Sequence, residues 1–215
     1  MFSAALMAVA GECGTSKYYE EQASAYSAAT LGVDMSEVYV RFLRYLPKHA
    51  RILDAGSGSG RDTLAFKERG YDVDAFDASP SLCALSTELT GVPARVQRFQ
   101  EFESELLYEG IWACASLLHV PSNELPDAFR RLVQVLRSGG ALYISFKHGP
   151  GERYSEDGRF YLDMNEARLR TVLGNIAGMD LAEIWISQGE GGHRGKDAWI
   201  NAILVKNEEG KGSRE

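Results

Sequence analysis

A glycine-rich turn with an acidic residue before it is the part of the sequence best suited to hold a ligand. Asp54 is followed by AGSGSGR (residues 55–61), and a second carboxylate, Asp77, comes about 20 residues later. Glycines let the backbone approach a ligand closely, because they carry no Cβ. A carboxylate can accept hydrogen bonds from both hydroxyls of a ribose ring. Together the two segments predict a site for a nucleoside.

The spacing of the glycines bears on which nucleoside the turn binds. Dinucleotide-binding turns follow G-x-G-x-x-G, with glycine or alanine in the last place so that a helix can pack tightly on a strand. Counted from Gly56 and Gly58, that place is taken by Arg61. The long side chain disfavours a dinucleotide-dependent dehydrogenase, which stays as an alternative interpretation of the turn.

An acidic residue followed by G-x-G-x-G resembles the first motif of the class I S-adenosylmethionine-dependent methyltransferases. The resemblance covers about Tyr18 to Val205 and is most specific between Asp54 and His119. It implies S-adenosyl-L-methionine as the cofactor, with its methionine part at the glycine turn and its ribose at Asp77. For Asp77 the alternative is an acidic residue that stabilises a helix N-terminus. The residues expected to bind the cofactor here are Asp54, Ala55, Gly56, Ser57, Gly58, Gly60, Arg61, Asp77, Ala78 and Ser79.

Two later segments extend the resemblance. Gln100, Glu101 and Phe102 follow the third predicted strand, at a position that lies against the adenine ring in the family. Phe102 can stack on that ring, or it can belong to the core behind a short capped helix. Ser116 and Leu117 lie in ASLLHVP (residues 115–121), which is similar to the motif beside the sulfonium in small-molecule methyltransferases of the tellurite-resistance and related type.

His119 is the candidate for a catalytic base and for a contact with the acceptor. The leaving group of methyl transfer needs no protonation, so positioning and exclusion of water can supply much of the rate. A base is needed only if the acceptor loses a proton, and a histidine at a strand end suits that role. A structural histidine that caps a turn is the alternative. Cys114 is expected to be a small core residue rather than a nucleophile.

The acceptor site is less clearly marked. The loop after the fifth strand mixes cations with aromatic residues, and its candidate acceptor contacts are Lys147, Arg153, Tyr154 and Arg159. The two arginines can hold an anionic acceptor by paired hydrogen bonds, or the loop can simply be solvated. Tyr18, Tyr19 and Tyr26 can cover the cofactor, or they can pack an amphipathic helix. No N-P-P-Y-type tetrad follows the fourth strand, which disfavours methylation of amino groups on DNA bases.

The elements that must position these residues alternate along the chain. Two helices are predicted within residues 16–46. Strands are predicted at about 51–54, 71–77, 94–99, 111–117 and 141–146, with helices at about 59–69, from Ser79 to before Gly91, and at 125–136. A loop at 148–163 and a helix at 165–176 precede two strands, 181–187 and 198–205, which are expected to pair as a hairpin.

This order predicts a doubly wound, Rossmann-like α/β fold. Its sheet should be seven-stranded and mostly parallel, with an antiparallel C-terminal hairpin strand and N-terminal capping helices. One methyltransferase domain is expected over residues 16–206. Residues 1–15 are interpreted as an extension, because their apolar stretch lacks the basic region of a signal peptide, and residues 207–215 as a tail.

Composition excludes several other classes of protein. A net charge of −7 over 215 residues disfavours a surface that binds nucleic acid through its phosphates. Three widely spaced cysteines suggest neither a disulfide framework nor a zinc site, and they fit a reducing cytoplasm. No apolar run approaches the roughly 18 residues that span a membrane. We therefore expect a cytoplasmic methyltransferase with a small-molecule acceptor; a cofactor-binding regulatory or partner protein without transfer activity is the second hypothesis.

Overall fold

The computed structural model describes residues 14–188 and 198–208. Its central sheet contains strands β1 (Arg51–Ala55), β2 (Asp72–Asp77), β3 (Ala94–Val96), β4 (Tyr108–Ala113), β5 (Leu136–Lys147), β8 (Met179–Gln188) and β9 (Ala198–Lys206). Strands β6 (Glu152–Tyr154) and β7 (Phe160–Leu162) form a separate hairpin. The sheet order is β3-β2-β1-β4-β5-β9-β8, and β9 runs antiparallel to β5 and β8. The predicted seven-stranded, mostly parallel sheet is confirmed.

The helices are α1 (residues 14–21), α2 (Ala23–Thr30), α3 (Ser36–Leu43), α4 (Arg61–Glu68), α5 (Pro80–Thr90), α6 (Leu125–Val135) and α7 (Glu166–Gly174). Helix α5 shows how local sequence sets its ends. The Ser79 hydroxyl accepts a hydrogen bond from Leu82 N at 3.2 Å, Pro80 fits the first turn, and Gly91 ends the helix at φ 66°. These end signals agree with the prediction.

Side chains alternate between the two faces of the sheet along each strand. A buried cluster lies on each face. On one face Ile52, Trp112 and Tyr143 pack against Phe42 of α3 and Phe66 of α4. On the other face Leu53, Ile111 and Leu142 join a larger cluster that includes Phe129 and Leu132 of α6. The double layer of helices fixes the sheet, so its carboxyl edge can serve as a rigid base for a site.

Several predicted boundaries are wrong where glycines or tight turns intervene. Strand β4 ends at Ala113 rather than at 117, since Ala115 has φ 50° and Leu117–His119 form a short 3-10 turn. Strand β3 likewise ends at Val96, before a 3-10 turn at Phe99–Glu101. The pair Gly139-Gly140 lies inside β5 instead of after a helix, and the β4–β5 register shifts there.

Two other regions have more structure than predicted. The loop at 148–163 contains the β6–β7 hairpin, whose strands of three residues give too short a pattern to recognise. Residues 14–43 hold three helices rather than two, and they include residues 14 and 15, which were assigned to an extension. The predictions for residues 1–13, the connection 189–197 and the tail from 209 onwards lie outside the described residues. In the part of the chain that is described, no helix has the length and apolar character needed to cross a bilayer.

The strand order also locates a crevice. Strand β1 lies between β2 and β4. After β1 the chain adds β2 and β3 on one side of it, and it then crosses over to add β4 and β5 on the other side. Open α/β sheets bind ligands at such a switch point, outside the carboxyl ends of the strands. The glycine turn follows β1 at this position.

Candidate active site

A cavity of about 1350 Å³ opens at the carboxyl ends of β1, β2 and β4. One half is lined by the glycine turn, the end of β2 and the turn after β3. The other half is lined by α1, by the turn after β4 and by the β6–β7 hairpin. A cavity of this size exceeds most single-ligand pockets, which suits two ligands side by side.

The glycine turn forms the floor of the cavity. Gly56 has φ 77°, and a Cβ placed on it would lie 2.4 Å from Ser116 Cβ. The Ser116 hydroxyl donates to Ala55 O at 2.7 Å, which ties the ends of β1 and β4 together. Gly58 has φ 54°, and a Cβ placed on it would lie 3.4 Å from the Tyr26 ring. Only glycine at position 56 therefore allows this close approach of the two strand ends.

Asp77 lies against the glycine turn. Its Oδ2 accepts a hydrogen bond from Gly58 N and its Oδ1 accepts one from Ser79 N, each at 2.9 Å. Burial raises the pKa of Asp77, while backbone donors, including those of Ser79 and Gly58, act in the opposite direction. A carboxylate offers about four acceptor sites, so the carboxylate can accept further hydrogen bonds. The two segments that the sequence predicted to cooperate are in direct contact.

Asp54 is placed differently from the prediction. Its side chain is buried outside the cavity lining, where Oδ2 accepts a hydrogen bond from Thr63 Oγ1 in the first turn of α4 at 2.6 Å. Burial and the neighbouring Asp62 carboxylate hold the pKa of Asp54 well above its usual range. Asp54 therefore joins β1 to α4 and does not line the cavity.

Arg61 lines the cavity, but its charge is already paired. Its Nε and Nη2 donate to the two carboxylate oxygens of Asp62 at 2.7 and 2.9 Å. Asp62 also accepts hydrogen bonds from Trp112 Nε1 at 2.8 Å and from the Tyr39 hydroxyl. Burial would raise the pKa of Asp62, but these partners lower it. Arg61 is thus held rigidly at the cavity wall.

At the far end of the cofactor half, the aromatic residue after β3 that lines the cavity is Phe99 and not the predicted Phe102. Phe102 is 1% exposed and stacks on Phe76 with ring centroids 4.6 Å apart, so it follows the second of its two expected roles, a core residue, and does not line the cavity. Phe99 lines the cavity instead. Gln100 also lines it, with Nε2 donating to Glu124 at 2.7 Å, whereas Glu101 is exposed.

His119 lies in the acceptor half, half-buried against Tyr19 of helix α1. Its Nδ1 is 2.7 Å from Phe160 O in β7, and its Nε2 is 2.8 Å from the Tyr19 hydroxyl. Burial lowers the pKa of His119 to about 4, and the nearby Arg159 and Lys147 act in the same direction. The imidazole is consequently neutral at physiological pH.

The cations of this half do not offer the paired hydrogen bonds that we expected for an anionic acceptor. The Arg153 guanidinium binds both oxygens of Asp163, at 2.6 and 3.2 Å, and the Arg159 guanidinium binds both oxygens of Asp157, at 3.1 and 2.7 Å. Lys147 Nζ lies 5.0 Å from the centroid of the Tyr161 ring. The carboxylates occupy the arginine forks that an anion would need.

The structure brings most of the predicted site residues to one cavity. Those that line it are Tyr18, Tyr26, Gly56, Ser57, Gly58, Arg61, Asp77, Ala78, Ser79, Gln100, Ser116, His119, Lys147, Arg153 and Arg159. The predicted residues outside the lining are Asp54, Ala55, Gly60, Glu101, Phe102, Leu117 and Tyr154. Leu117 is buried, and Tyr154, 51% exposed, packs its ring against Phe160.

Sequence reasoning missed three aromatic or polar lining residues as candidates: Phe99, Cys114 and Tyr161. Tyr19, which helical spacing groups with Tyr26, lines the cavity as well. Cys114 was assigned to the core, yet its Sγ faces Arg61 and Ser145 at 3.8 Å, and burial raises its thiol pKa to about 12.

This fold and cavity define a Rossmann-like protein with a nucleoside-type site at a switch point. The methyltransferase-domain family matches residues 27–170, more than half of the chain, so the chain belongs to that family and is a methyltransferase. An uncharacterized methyltransferase of Staphylococcus carnosus (strain TM300) is 25% identical over 146 residues, which cover 65% of this chain and 70% of that protein. The resemblance to class I S-adenosylmethionine-dependent methyltransferases is confirmed.

Solved structures show the same fold. The Burkholderia thailandensis 1,6-didemethyltoxoflavin-N1-methyltransferase, with bound 1,6-didemethyltoxoflavin and S-adenosylhomocysteine, has a TM-score of 0.74 at 20% identity, covering 97% of this chain and 92% of that chain. The N-methyltransferase NodS of Bradyrhizobium japonicum WM9, in complex with S-adenosylhomocysteine, has a TM-score of 0.70 at 15% identity, covering 91% of this chain and 100% of that chain. These neighbours support the expected cofactor.

Proposed function

We propose that the cavity binds S-adenosylmethionine and that the protein transfers its methyl group to a small-molecule acceptor. The observation that carries this proposal is the contact between the glycine turn and Asp77, through Gly58 N and Asp77 Oδ2. When bound, the cofactor would supply an electrophilic methyl group on a sulfonium. The alternative, a binding protein without transfer activity, gains no support from the family match.

Four features of the cofactor half fit this molecule. Asp77 retains acceptor sites for the two ribose hydroxyls. Ser57 Oγ is buried without a hydrogen-bond partner in the described part of the chain, and it lines the cavity, so it can bond the polar methionine part. Gly56 leaves a cradle that a side chain would fill. Phe99 offers a ring at the end where the adenine is expected.

The acceptor half suits a small molecule with aromatic or polar character. Tyr18, Tyr19, Tyr161 and Trp199 line it together with His119. The B. thailandensis neighbour acts on a small molecule, according to its name. Because the net charge is −7, we propose that the acceptor is not a nucleic acid. We also propose that the enzyme works in the cytoplasm, where its three widely spaced cysteines would stay reduced.

Two measurements test the proposal. Titration calorimetry with S-adenosylhomocysteine should show one site per chain, whereas no heat of binding would refute the cofactor assignment. A metabolite screen with S-adenosylmethionine, scored by release of S-adenosylhomocysteine, should then identify acceptors. Binding without release from any compound would favour the alternative, a regulatory or partner protein.

A further inference from the structure

The hydrogen bonds of His119 fix its tautomer. Phe160 O is a carbonyl oxygen and can only accept, so the 2.7 Å contact requires the proton to be on Nδ1. With the imidazole neutral, Nε2 carries a lone pair. The 2.8 Å contact with Tyr19 therefore requires the Tyr19 hydroxyl to donate its proton to Nε2. Of the two lone pairs on the Tyr19 oxygen, one accepts a hydrogen bond from Arg159 and the other is left for a further partner.

Tyr19 lies at the boundary between the two halves of the cavity. Its ring centroid is 5.1 Å from that of Tyr26, which faces Gly58 in the cofactor half. On the other side it is 5.3 Å from His119, whose ring is 4.9 Å from Tyr161 in the acceptor half. The row of rings therefore leads from the glycine turn to the acceptor half, with the Tyr19 hydroxyl on the acceptor side.

We infer that Tyr19 takes the proton that the acceptor loses while passing its own proton to His119 Nε2, and that the acceptor is a hydroxyl compound or a weakly basic ring N–H compound rather than an alkylamine. This inference rests on the proposed methyl transfer. Tyr19 would touch the acceptor and act catalytically, whereas His119 would act through Tyr19.

The proposed step balances. A lone pair on the acceptor atom X forms the bond to the methyl carbon, and the carbon–sulfur bond breaks with its electron pair on sulfur. The proton leaves X for the Tyr19 oxygen, and the Tyr19 proton moves to His119 Nε2. The positive charge of the sulfonium thereby ends on the imidazolium, which the Phe160 carbonyl holds at Nδ1. Loss of that proton to water restores the site.

The surroundings of the pair select the class of acceptor. Arg159 and Lys147 face His119, with Asp157 opposing them, while Tyr26, Tyr161 and Arg159 face Tyr19. Burial and the neighbouring Tyr26 and Tyr161 raise the pKa of Tyr19, although a hydrogen bond from Arg159 acts in the opposite direction, so Tyr19 does not keep a negative charge and its proton passes on to His119 as the acceptor proton arrives. Cations disfavour a protonated alkylamine, whose pKa of about 10.4 keeps it charged at neutral pH. With a pKa of about 4, His119 can accept a proton only from a strongly acidic group, such as a methylated hydroxyl.

Nitrogen NMR of histidine tests the geometry without an acceptor. In ¹⁵N-histidine-labelled protein, His119→Gln identifies the signals of His119 among the four histidines. We expect a neutral ring with the proton on Nδ1 from about pH 5 to 8, where a free histidine would titrate. Tyr19→Phe should shift the Nε2 signal, whereas Tyr18→Phe should not. A proton on Nε2, or titration near the ordinary pKa of about 6.5, would overturn the inference.

A panel of matched phenols, heteroaromatic N–H compounds and alkylamines tests the chemistry, again by release of S-adenosylhomocysteine. Release should come from the first two classes, and Tyr19→Phe should lower kcat by about 100-fold or more with little change in KM or in affinity for S-adenosylhomocysteine. Tyr45→Phe, whose hydroxyl binds Glu183 away from the cavity, is the control. The inference would be overturned if S-adenosylhomocysteine were released with alkylamines alone, or if neither phenols nor heteroaromatic N–H compounds gave release. It would also be overturned if Tyr19→Phe turned over at the full wild-type rate. Failure of the proposed cofactor site would be seen separately, because the wild type would then not bind S-adenosylhomocysteine at all.

Discussion

The carboxyl ends of β1 and β2 each carry an acidic residue, but Asp54 is buried away from the cavity, whereas Asp77 is half-buried and lines it. Asp54 pairs with Ala75 in the parallel register, so Asp77 is two residues further along the same edge, about 7 Å nearer to the opening at the usual rise per residue. Alternation places both side chains on the face covered by α4. Asp54 therefore lies under the first turn of α4, while Asp77 is level with the glycine turn above it.

The difference shows that the depth of a residue in the sheet decides its role. Asp54 bonds Thr63 and joins strand to helix, whereas Asp77 bonds Gly58 N and Ser79 N at the cavity wall. An acidic residue at the head of the motif is thus structural here, and the one at the end of the next strand is placed to bind. Four substitutions test this division.

Gly56→Ala should have the largest effect, because its Cβ would meet Ser116 Cβ at 2.4 Å. We expect binding of S-adenosylhomocysteine to be lost and the melting temperature to fall by several degrees. Gly178→Ala is a matched control, since Gly178 has φ 76° against 77° at Gly56, but a Cβ there would meet no atom of the described residues within 4 Å. That control should cost about 1–2 kcal/mol of stability from backbone strain alone, with affinity unchanged. Equal effects in both variants would show that the close approach is irrelevant.

Asp77→Ala should weaken binding of S-adenosylhomocysteine by about 1.5–3 kcal/mol, or roughly 10- to 150-fold, because a charged acceptor for the ribose is lost. Two backbone hydrogen bonds are lost as well, so chemical denaturation should also show a less stable free protein. In the wild type, affinity should fall as acid protonates Asp77. Because the pKa of Asp77 is raised, the fall should begin at a higher pH than for an ordinary aspartate. Unchanged affinity in Asp77→Ala at pH 7 would exclude Asp77 from the cofactor site.

Ser57→Ala should have a smaller effect. Loss of one neutral hydrogen bond to the cofactor weakens binding by about 0.5–1.5 kcal/mol. The free protein should be no less stable than the wild type, because the hydroxyl has no partner to lose among the described residues. A decrease in stability with unaltered affinity would assign Ser57 to the fold instead.

Asp54→Asn should leave affinity within about twofold and change only the pH dependence of stability. A raised pKa in the folded state means that the contribution of Asp54 is complete below its unfolded pKa of about 3.9 and is lost as pH rises through the folded value. Removing the charge abolishes that loss, so the variant should gain stability relative to the wild type between pH 5 and pH 8. Urea denaturation at pH 5 and pH 8 measures the free energy of unfolding of the wild type and of Asp54→Asn. A variant that is less stable than the wild type at pH 8 would contradict the raised pKa of Asp54.

The sequence predicted the cofactor half better than the acceptor half, for physical reasons. Glycines with positive φ, strand-end carboxylates and helix caps are local signals, and Gly56, Gly58, Asp77 and Ser79 lie where these signals place them. Whether Phe99 or Phe102 faces the cavity depends on where β3 ends, and a 3-10 turn reverses the expected order.

The acceptor half depends on contacts between distant segments. Tyr19 meets His119 100 residues later, and His119 meets Phe160 in a hairpin too short to predict. The pairing of Arg153 with Asp163 and of Arg159 with Asp157 likewise requires the β6–β7 hairpin to bring the partners together. Helical spacing marked Tyr19 as part of a face, but nothing local identified its partner.

Calorimetric titration of S-adenosylhomocysteine into the wild type, Asp77→Asn and Asp54→Asn is the most direct test of the account. Each variant replaces one carboxylate by an amide of the same shape. We predict that Asp77→Asn weakens binding at least 10-fold, by about 1.4 kcal/mol, whereas Asp54→Asn binds as tightly as the wild type. Equal weakening in both variants, or in neither, would contradict the claim that the cofactor site is built at Asp77 and the glycine turn.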